Sequence, residues 1–218
     1  MVVEGASHLP EIAGIGPSYY LELPAIAAGC LSGGLHAVKK GFDAVGIVVL
    51  SIVTGVGGGI LRDLILGHGP PLAFQHPTYL AVALLSAAFT FFASHLVHRL
   101  STSLKIVDAA ALGFFGVVGA QQAIASQLPL ASVVAVGLVC AVGGGVARDI
   151  LSNETPAILA PGTLYATVAI AGILSYVICE DWIHTTRPIA EATAILTTIT
   201  LRLLAQRHQW QGPMPRQA

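Results

Sequence analysis

Apolar residues run through this chain in long blocks that are separated by short polar or glycine- and proline-rich breaks. A transmembrane helix needs about 20 apolar residues to cross roughly 30 Å of hydrocarbon, and seven blocks come close to that length. They lie near residues 20–38, 43–66, 78–98, 106–126, 130–151, 161–180 and 188–206. Strand-like alternation with a period of two is absent from the blocks. The pattern predicts an all-α integral membrane protein with seven transmembrane helices.

The composition supports this class of protein. Hydrophobic residues make up 55% of the 218 residues and charged residues only 10%, whereas charged residues make up about 25% of an ordinary soluble protein. The mean hydropathy is +0.79. The net charge is −1, which gives no basic surface for nucleic acid. We therefore expect membrane lipids, and no nucleic acid, among the partners of the chain.

The sequence shows no group of residues typical of catalysis. Cys30, Cys140 and Cys179 each lie alone in an apolar block, without the spacing of a disulfide framework or a metal site. A Ser-His-Asp set and a catalytic pair of carboxylates are both lacking. We therefore expect a protein that is not an enzyme, uses no cofactor and holds no fixed metal ion.

Basic residues predict the orientation, because short cytoplasmic loops carry an excess of Lys and Arg. With seven helices the two termini lie on opposite sides of the membrane. The side of the C-terminus collects most of the basic residues, namely Lys39, Lys40, Arg99, Lys105, Arg148, Arg202, Arg207 and Arg216. The other side collects only Arg62 and Arg187. We expect a multi-pass protein of the plasma (inner) membrane, with its N-terminus outside and its C-terminus in the cytoplasm.

The chain also contains an internal repeat. The segment GVGGGILRDLI at residues 55–65 returns as AVGGGVARDIL at residues 141–151, a shift of 86 residues that also places Glu22 on Asp108. Each copy contains three helices. Because three is an odd number, the second copy enters the membrane upside down, as in the inverted-topology repeats of many transport proteins.

The repeat divides the chain into five segments. We expect an N-terminal extracytoplasmic segment, a first three-helix repeat, a second and inverted three-helix repeat, a seventh helix and a disordered cytoplasmic tail. Their bounds are 1–19, 20–104, 105–187, 188–206 and 207–218.

Three consecutive glycines lie in each copy of the repeated segment. They are Gly57, Gly58 and Gly59 in the first copy and Gly143, Gly144 and Gly145 in the second. Glycine in a helix interior costs about 0.5–1 kcal/mol relative to alanine, so a triplet favours a kink or an unwound turn. The carbonyl oxygens of such a turn can replace part of the hydration shell of a cation. The alternative is that the glycines only let two helices approach closely. For a single triplet we would favour close approach. Because the triplet occurs twice, each time with an Arg-Asp pair at the same offset, we favour the cavity-lining interpretation.

The Arg-Asp pairs, Arg62-Asp63 and Arg148-Asp149, lie near the ends of their apolar blocks. At the centre of a bilayer each charge costs on the order of 3 kcal/mol. The four charged side chains must therefore be paired, lie at the membrane interface or face water. Two interpretations stay open at this point: simple interfacial anchors, or a charged vestibule of a path through the membrane.

The repeat predicts a partner for each arginine. Glu22 opens the first block and Arg62 closes the second, so both lie on the outer side of the membrane. By the same argument Asp108 and Arg148 both lie on the inner side. We predict two symmetry-related ion pairs, Glu22 with Arg62 and Asp108 with Arg148, with their charged atoms within about 6 Å.

Taken together, these motifs resemble those of the trimeric intracellular cation (TRIC) channel family in its prokaryotic form, a membrane family with a duplicated GGGxxRD domain. The resemblance covers about residues 21–204. It is carried by TGVGGGILRDLILG with the Pro70-Pro71 that follows, and by AVGGGVARDILSNETP. It is also carried by the stretches that precede them, GLHAVKKGFDAVG and VDAAALGFFGVVGAQQA.

The resemblance implies a homotrimer in which each protomer holds its own pore. It implies that the second and fifth helices bend at their glycine triplets, and that the pore conducts monovalent cations, potassium above all. Some bacterial members are described as importers of glycine, and the motif does not separate the two activities.

Our leading hypothesis is a potassium-permeable channel between the second and fifth helices, in which potassium touches backbone carbonyls transiently and Arg62 and Arg148 lie near the two mouths. The alternative is a carrier for glycine that works by alternating access. A membrane scaffold is a third possibility, which unbent helices without a polar cavity would favour.

Overall fold

The structure is a computed structural model that describes residues 19–93, 101–160 and 164–210. Within these ranges every regular element is a helix, which confirms the predicted all-α class. In chain order the helices are α1 (Tyr19–Lys40), α2 (Ala44–Leu66), α3 (Leu72–Gln75), α4 (Pro77–Phe92), α5 (Ser101–Ala125), α6 (Leu130–Leu151), α7 (Tyr165–Val177) and α8 (Arg187–Arg207). Helix α7 continues directly into a π-helical segment, Ile178–Trp182.

Five of these helices are long and apolar enough to cross a membrane, namely α1, α2, α5, α6 and α8. Helix α4 is apolar but has only 16 residues, and residues 94–98 of the predicted third span lie outside the described residues. Helix α7 has 13 residues before the π-helical segment. The predicted N-terminal segment up to residue 18 and the tail after residue 210 also lie outside the described ranges. The count of seven spans stays a prediction.

The helix ends coincide with breaks in the apolar pattern, for local chemical reasons. The carboxylate of Asp43 accepts a hydrogen bond of 2.8 Å from the N–H of Gly46 and so caps the start of α2. Gly67 ends α2 with a φ of 68°, a left-handed conformation that glycine adopts without steric cost. Pro129 lies immediately before the first residue of α6.

The two halves of the chain pack in matching ways. In the first half α1 contacts α2 and α4, and in the second half α5 contacts α6 and α7. The halves join through α1 against α5 and through α2 against α6, so that equivalent helices of the two copies face each other. Helix α8 packs against α5 and α7. This packing brings the two glycine-bearing helices into direct contact.

The glycine triplets do not open a turn. Helix α2 runs without interruption through residues 57–59, and α6 runs without interruption through residues 143–145. The described conformation therefore does not contain the predicted unwound turn. That the helices bend at the glycines, and that their carbonyl oxygens meet potassium, stay predictions. A glycine costs only about 0.5–1 kcal/mol within a helix, and close packing of two helix backbones can offset that cost.

Candidate functional site

The first charged cluster lies where α1, α2 and α4 meet. Arg62 Nη1 lies 2.7 Å from Glu22 Oε1, and Arg62 Nε donates a hydrogen bond of 2.7 Å to Asp63 Oδ1. The hydroxyl of Tyr79 donates to Glu22 Oε2. Asp63 Oδ2 accepts a hydrogen bond of 2.8 Å from the N–H of Leu72, which fixes the chain after α2 to the cluster.

The second charged cluster has the same plan, at the other copy of the motif. Arg148 Nη1 lies 2.8 Å from Asp108 Oδ1, and Arg148 Nε donates a hydrogen bond of 2.9 Å to Asp149 Oδ1. Asp149 Oδ2 accepts a hydrogen bond of 2.9 Å from the N–H of Ala157, just as Asp63 does from Leu72.

Ser32 of α1 is an additional member of this second cluster. Its hydroxyl accepts a hydrogen bond of 2.7 Å from Arg148 Nη1 and donates one of 3.3 Å to Asp108 Oδ1. The second cluster is therefore built from both halves of the chain.

Both ion pairs predicted from the repeat are present in the structure. Arg62 and Arg148 are 2% and 6% exposed, so protein encloses both side chains. A buried guanidinium is tolerated only where carboxylates and further hydrogen bonds replace its hydration, and both clusters provide them. This enclosure disagrees with the interpretation of the arginines as simple interfacial anchors. That the clusters form a vestibule stays a prediction.

The glycine triplets bring α2 and α6 into reciprocal contact. A Cβ atom at Gly58 would collide with the carbonyl oxygen of Cys140, and a Cβ atom at Gly144 would collide with the carbonyl oxygen of Thr54. Gly58 and Gly144 are 86 residues apart, and so are Thr54 and Cys140. Such a pair of exchanged contacts is the mark of a two-fold relation between two surfaces. The middle glycine of each triplet therefore lets the two helices approach closely, as the alternative interpretation of the sequence held.

The third glycine of each triplet has a different environment. A Cβ atom at Gly59 would meet no atom within 4 Å, and one at Gly145 would lie 3.4 Å from the hydroxyl of Tyr165. Both glycines line small cavities next to the charged clusters. We call these cavities the first and the second cavity.

The first cavity is bordered by Glu22, Arg62 and Tyr79, and the second by Ser32, Asp108 and Tyr165. Each has room for about one water molecule. Phe115 of α5 is buried and lines both cavities. A small cavity with charged side chains in its lining therefore adjoins each charged cluster, and one aromatic side chain borders both cavities.

The sequence reasoning missed Tyr79, Tyr165 and Phe115. The two tyrosines are 86 residues apart, so the repeat shift that paired the acidic residues could have found them. Phe115 gives no such signal, because its equivalent by the same shift is Gly29. The reasoning also missed Arg202 of α8, whose guanidinium carbon lies 4.4 Å from the centre of the Tyr165 ring.

Comparison with known proteins places the chain in a family. A family model described as "Glycine transporter" matches twice, at residues 19–95 and at residues 105–181. A solved structure reported as "Structural basis for conductance through TRIC cation channels" has a TM-score of 0.79 and 37% sequence identity, over 91% of this chain and 97% of that chain. The chain belongs to the TRIC/UPF0126 family. The two family matches begin 86 residues apart, which is the same shift that relates the two copies of the internal repeat.

Further members of the TRIC/UPF0126 family are similar over most of their length. The trimeric intracellular cation channel orthologue from Rhodobacter sphaeroides has a TM-score of 0.80 and 32% identity, over 88% of this chain and 97% of that chain. The "UPF0126 membrane protein" of Deinococcus radiodurans is 38% identical over 88% of each chain. The "UPF0126 inner membrane protein YadS" of Escherichia coli K12 is 33% identical over 90% of this chain and 94% of the relative.

Proposed function

We propose that this chain is a cation channel, a homotrimer in which each protomer carries a potassium-permeable path between α2 and α6. The observation that carries the proposal is the similarity, at 37% identity and a TM-score of 0.79, to a structure described as a TRIC cation channel. The chain covers 97% of that structure, so the likeness extends to the whole channel fold.

The charges of the first cluster support a preference for cations. Glu22 and Asp63 carry two formal negative charges against the one positive charge of Arg62, and all three side chains are buried. A net negative charge in a low-dielectric wall raises the local concentration of cations and lowers that of anions. Arg62 is neutralised by its partners and does not repel a passing cation.

The second cluster has the same two carboxylates for one guanidinium, Asp108 and Asp149 with Arg148. Here Arg202 adds a positive charge over the face of the neighbouring Tyr165. Each Arg-Asp pair with its acidic partner thus carries two carboxylates for one guanidinium, which favours cations at both ends of the path.

The path runs from the first cavity to the second, along the contact of α2 with α6. On this proposal the path is closed in the described conformation, since Gly58 and Gly144 lie against the backbone of the opposite helix and Phe115 borders both cavities. Opening requires α2 and α6 to move apart and the Phe115 ring to turn away. Side-chain oxygens of Glu22 and Asp108 then meet the cation.

The membrane arrangement belongs to the same proposal. The two copies form an inverted repeat of three helices each, α8 is the seventh span, and the N-terminus lies outside. The reciprocal contact of Gly58 and Gly144 and the matching helix packing support the inverted repeat. The segments keep the bounds expected from the sequence.

Ion flux from liposomes tests the proposed function. Purified protein, shown to be a folded trimer, is reconstituted into potassium-loaded liposomes, and efflux is driven by a membrane potential. We expect potassium efflux well above that of empty liposomes. Efflux equal to that of empty liposomes contradicts the proposal. Saturable uptake of labelled glycine without any current would instead establish the carrier.

A further inference from the structure

Three side chains of types that can ligate a metal ion lie together at the second charged cluster, and one of them, Asp149, also pairs with Arg148. They are His36 in α1, Asp149 in α6 and Glu154 in the loop that follows α6. One ligand atom from each residue lies within 4.8 Å of those of the other two. We propose that these three side chains bind a divalent transition-metal ion, with Zn²⁺ as the ion whose usual ligands include imidazole and carboxylate groups.

His36 provides the first argument for a metal ion. Its side chain is only 9% exposed, and its Nε2 atom makes no hydrogen bond within the described residues. The same atom lies 3.4 Å from Glu154 Oε2. This contact with the carboxylate is longer than a good hydrogen bond, and a bound metal ion would give the buried imidazole nitrogen a stronger interaction.

The distance between the two atoms fits a metal site. In a tetrahedral zinc site the nitrogen and oxygen ligands lie about 2.0–2.2 Å from the ion, which places neighbouring ligand atoms roughly 3.4 Å apart. The separation of His36 Nε2 from Glu154 Oε2 is 3.4 Å. One imidazole and two carboxylates are ligands that zinc accepts, with water in the fourth position.

The backbone holds the two carboxylates on the same side. Asn153 has a φ of 54°, and the N–H of Glu154 donates a hydrogen bond of 2.8 Å to the carbonyl oxygen of Asp149. This turn returns the chain toward the end of α6. The fixed turn means that the binding of an ion need not order the loop first.

Lys40 orients the carboxylate of Glu154 and keeps it ionised. Its Nζ atom lies 2.5 Å from Glu154 Oε1, which leaves Oε2 facing His36. The hydrogen bond from Lys40 holds the pKa of Glu154 below its usual value, so the carboxylate is ionised at neutral pH. The side chain of Glu154 is 41% exposed, which gives an ion from solution a way to the site.

The local charges leave room for a cation. The charged groups around His36 are Arg148, Asp149, Glu154 and Lys40. Arg148 pairs with both Asp108 and Asp149, and Lys40 pairs with Glu154, so the three carboxylates exceed these two cations by one charge. The ion would join α1 of the first half to the end of α6 in the second half, next to Arg148.

Zinc titration of the purified full-length chain in detergent, by calorimetry, tests the inference without any measurement of flux. We expect one site per protomer, with affinity reduced at least about tenfold in both His36→Gln and Glu154→Gln. His208→Gln replaces an exposed histidine of the loop after α8, and we expect it to bind zinc as the unchanged chain does. Equal affinity in the unchanged chain and in His36→Gln overturns the proposal, as does the absence of zinc binding.

Cobalt provides a second readout that reports the ligands directly. Co²⁺ in place of Zn²⁺ gives visible absorption that depends on the geometry of its ligands. We expect a tetrahedral spectrum for the unchanged chain that is lost in Glu154→Gln, a change in an exposed loop that leaves the fold intact. A spectrum that is the same in both proteins contradicts the site, even if His36→Gln does not fold.

Discussion

At the level of single residues, the side chains of Arg62 and Arg148 are buried, and they form their ion pairs inside the protein and not in water. Arg62 has both Glu22 and Asp63 within 2.7 Å, and the hydroxyl of Tyr79 completes the shell of Glu22. Such a cluster is costly to assemble, because each ion gives up its hydration, and it is still more costly to leave incomplete.

Arg62→Met is therefore expected to lower the free energy of unfolding by about 3–5 kcal/mol, because it leaves two buried carboxylates without their cation. The measurement is denaturant unfolding in detergent. Arg207→Met, at the exposed end of α8, is the control and should change stability by no more than about 0.5 kcal/mol. Equal losses in the two variants would mean that the buried cluster contributes nothing particular to stability.

The pairing of these residues could be predicted from the sequence, because the repeat places an acidic residue and an arginine at equivalent positions of both halves. The other residues that contact the two ion pairs could be predicted only in part. Tyr79 and Tyr165 obey the same shift of 86 residues. Ser32 and Arg202 do not, since they join the second cluster only through the packing of α1 and α8 around it.

At the level of elements, the contact of α2 with α6 is the feature on which the proposed path depends. The sequence predicted where these helices begin and end, since apolar length and breaks are local signals. It did not predict what the glycines do there. Glycine favours both unwinding and close approach, and only the position of the opposite helix, set by residues about 86 positions away, decides between them.

The three glycines of one triplet provide a test of this contact. Gly58→Ala is expected to lower stability by about 1–3 kcal/mol, because its Cβ would collide with the backbone of Cys140. Gly59→Ala is the matched control. Its Cβ meets nothing within 4 Å, and alanine favours a helix by about 0.5–1 kcal/mol, so stability should rise or stay unchanged.

Thermal or denaturant unfolding in detergent separates these outcomes. If the triplet acted through an unwound turn, both alanines would favour the regular helix and both variants would become more stable. A more stable Gly58→Ala would therefore show that the close contact is not what the glycine provides.

At the level of the whole molecule, apolar surface remains exposed on α2 and α4. Leu64, Ile65, Phe89 and Phe92 are between 55% and 74% exposed in the single chain. Apolar surface of this extent is covered by lipid or by another protomer, which agrees with a membrane-embedded trimer.

The orientation of the molecule can be tested with single cysteines at exposed loop positions. The natural cysteines Cys30, Cys140 and Cys179 are buried, so their reaction with a thiol reagent should be weak. In intact cells we expect a membrane-impermeant maleimide to label His68→Cys, after α2, and not Phe42→Cys, before it. Labelling of Phe42→Cys alone would place the N-terminus in the cytoplasm.

Single-channel recording of the reconstituted trimer with and without Phe115→Ala, in mixed potassium and sodium and with glycine added, tests the path between the two cavities most directly. Removal of the ring that borders both cavities should raise the open probability or the unitary conductance for potassium, whereas Phe89→Ala, on the exposed face of α4, should leave both unchanged. Potassium currents that Phe115→Ala leaves identical to those of the unchanged chain would show that ions do not pass between α2 and α6 at this ring.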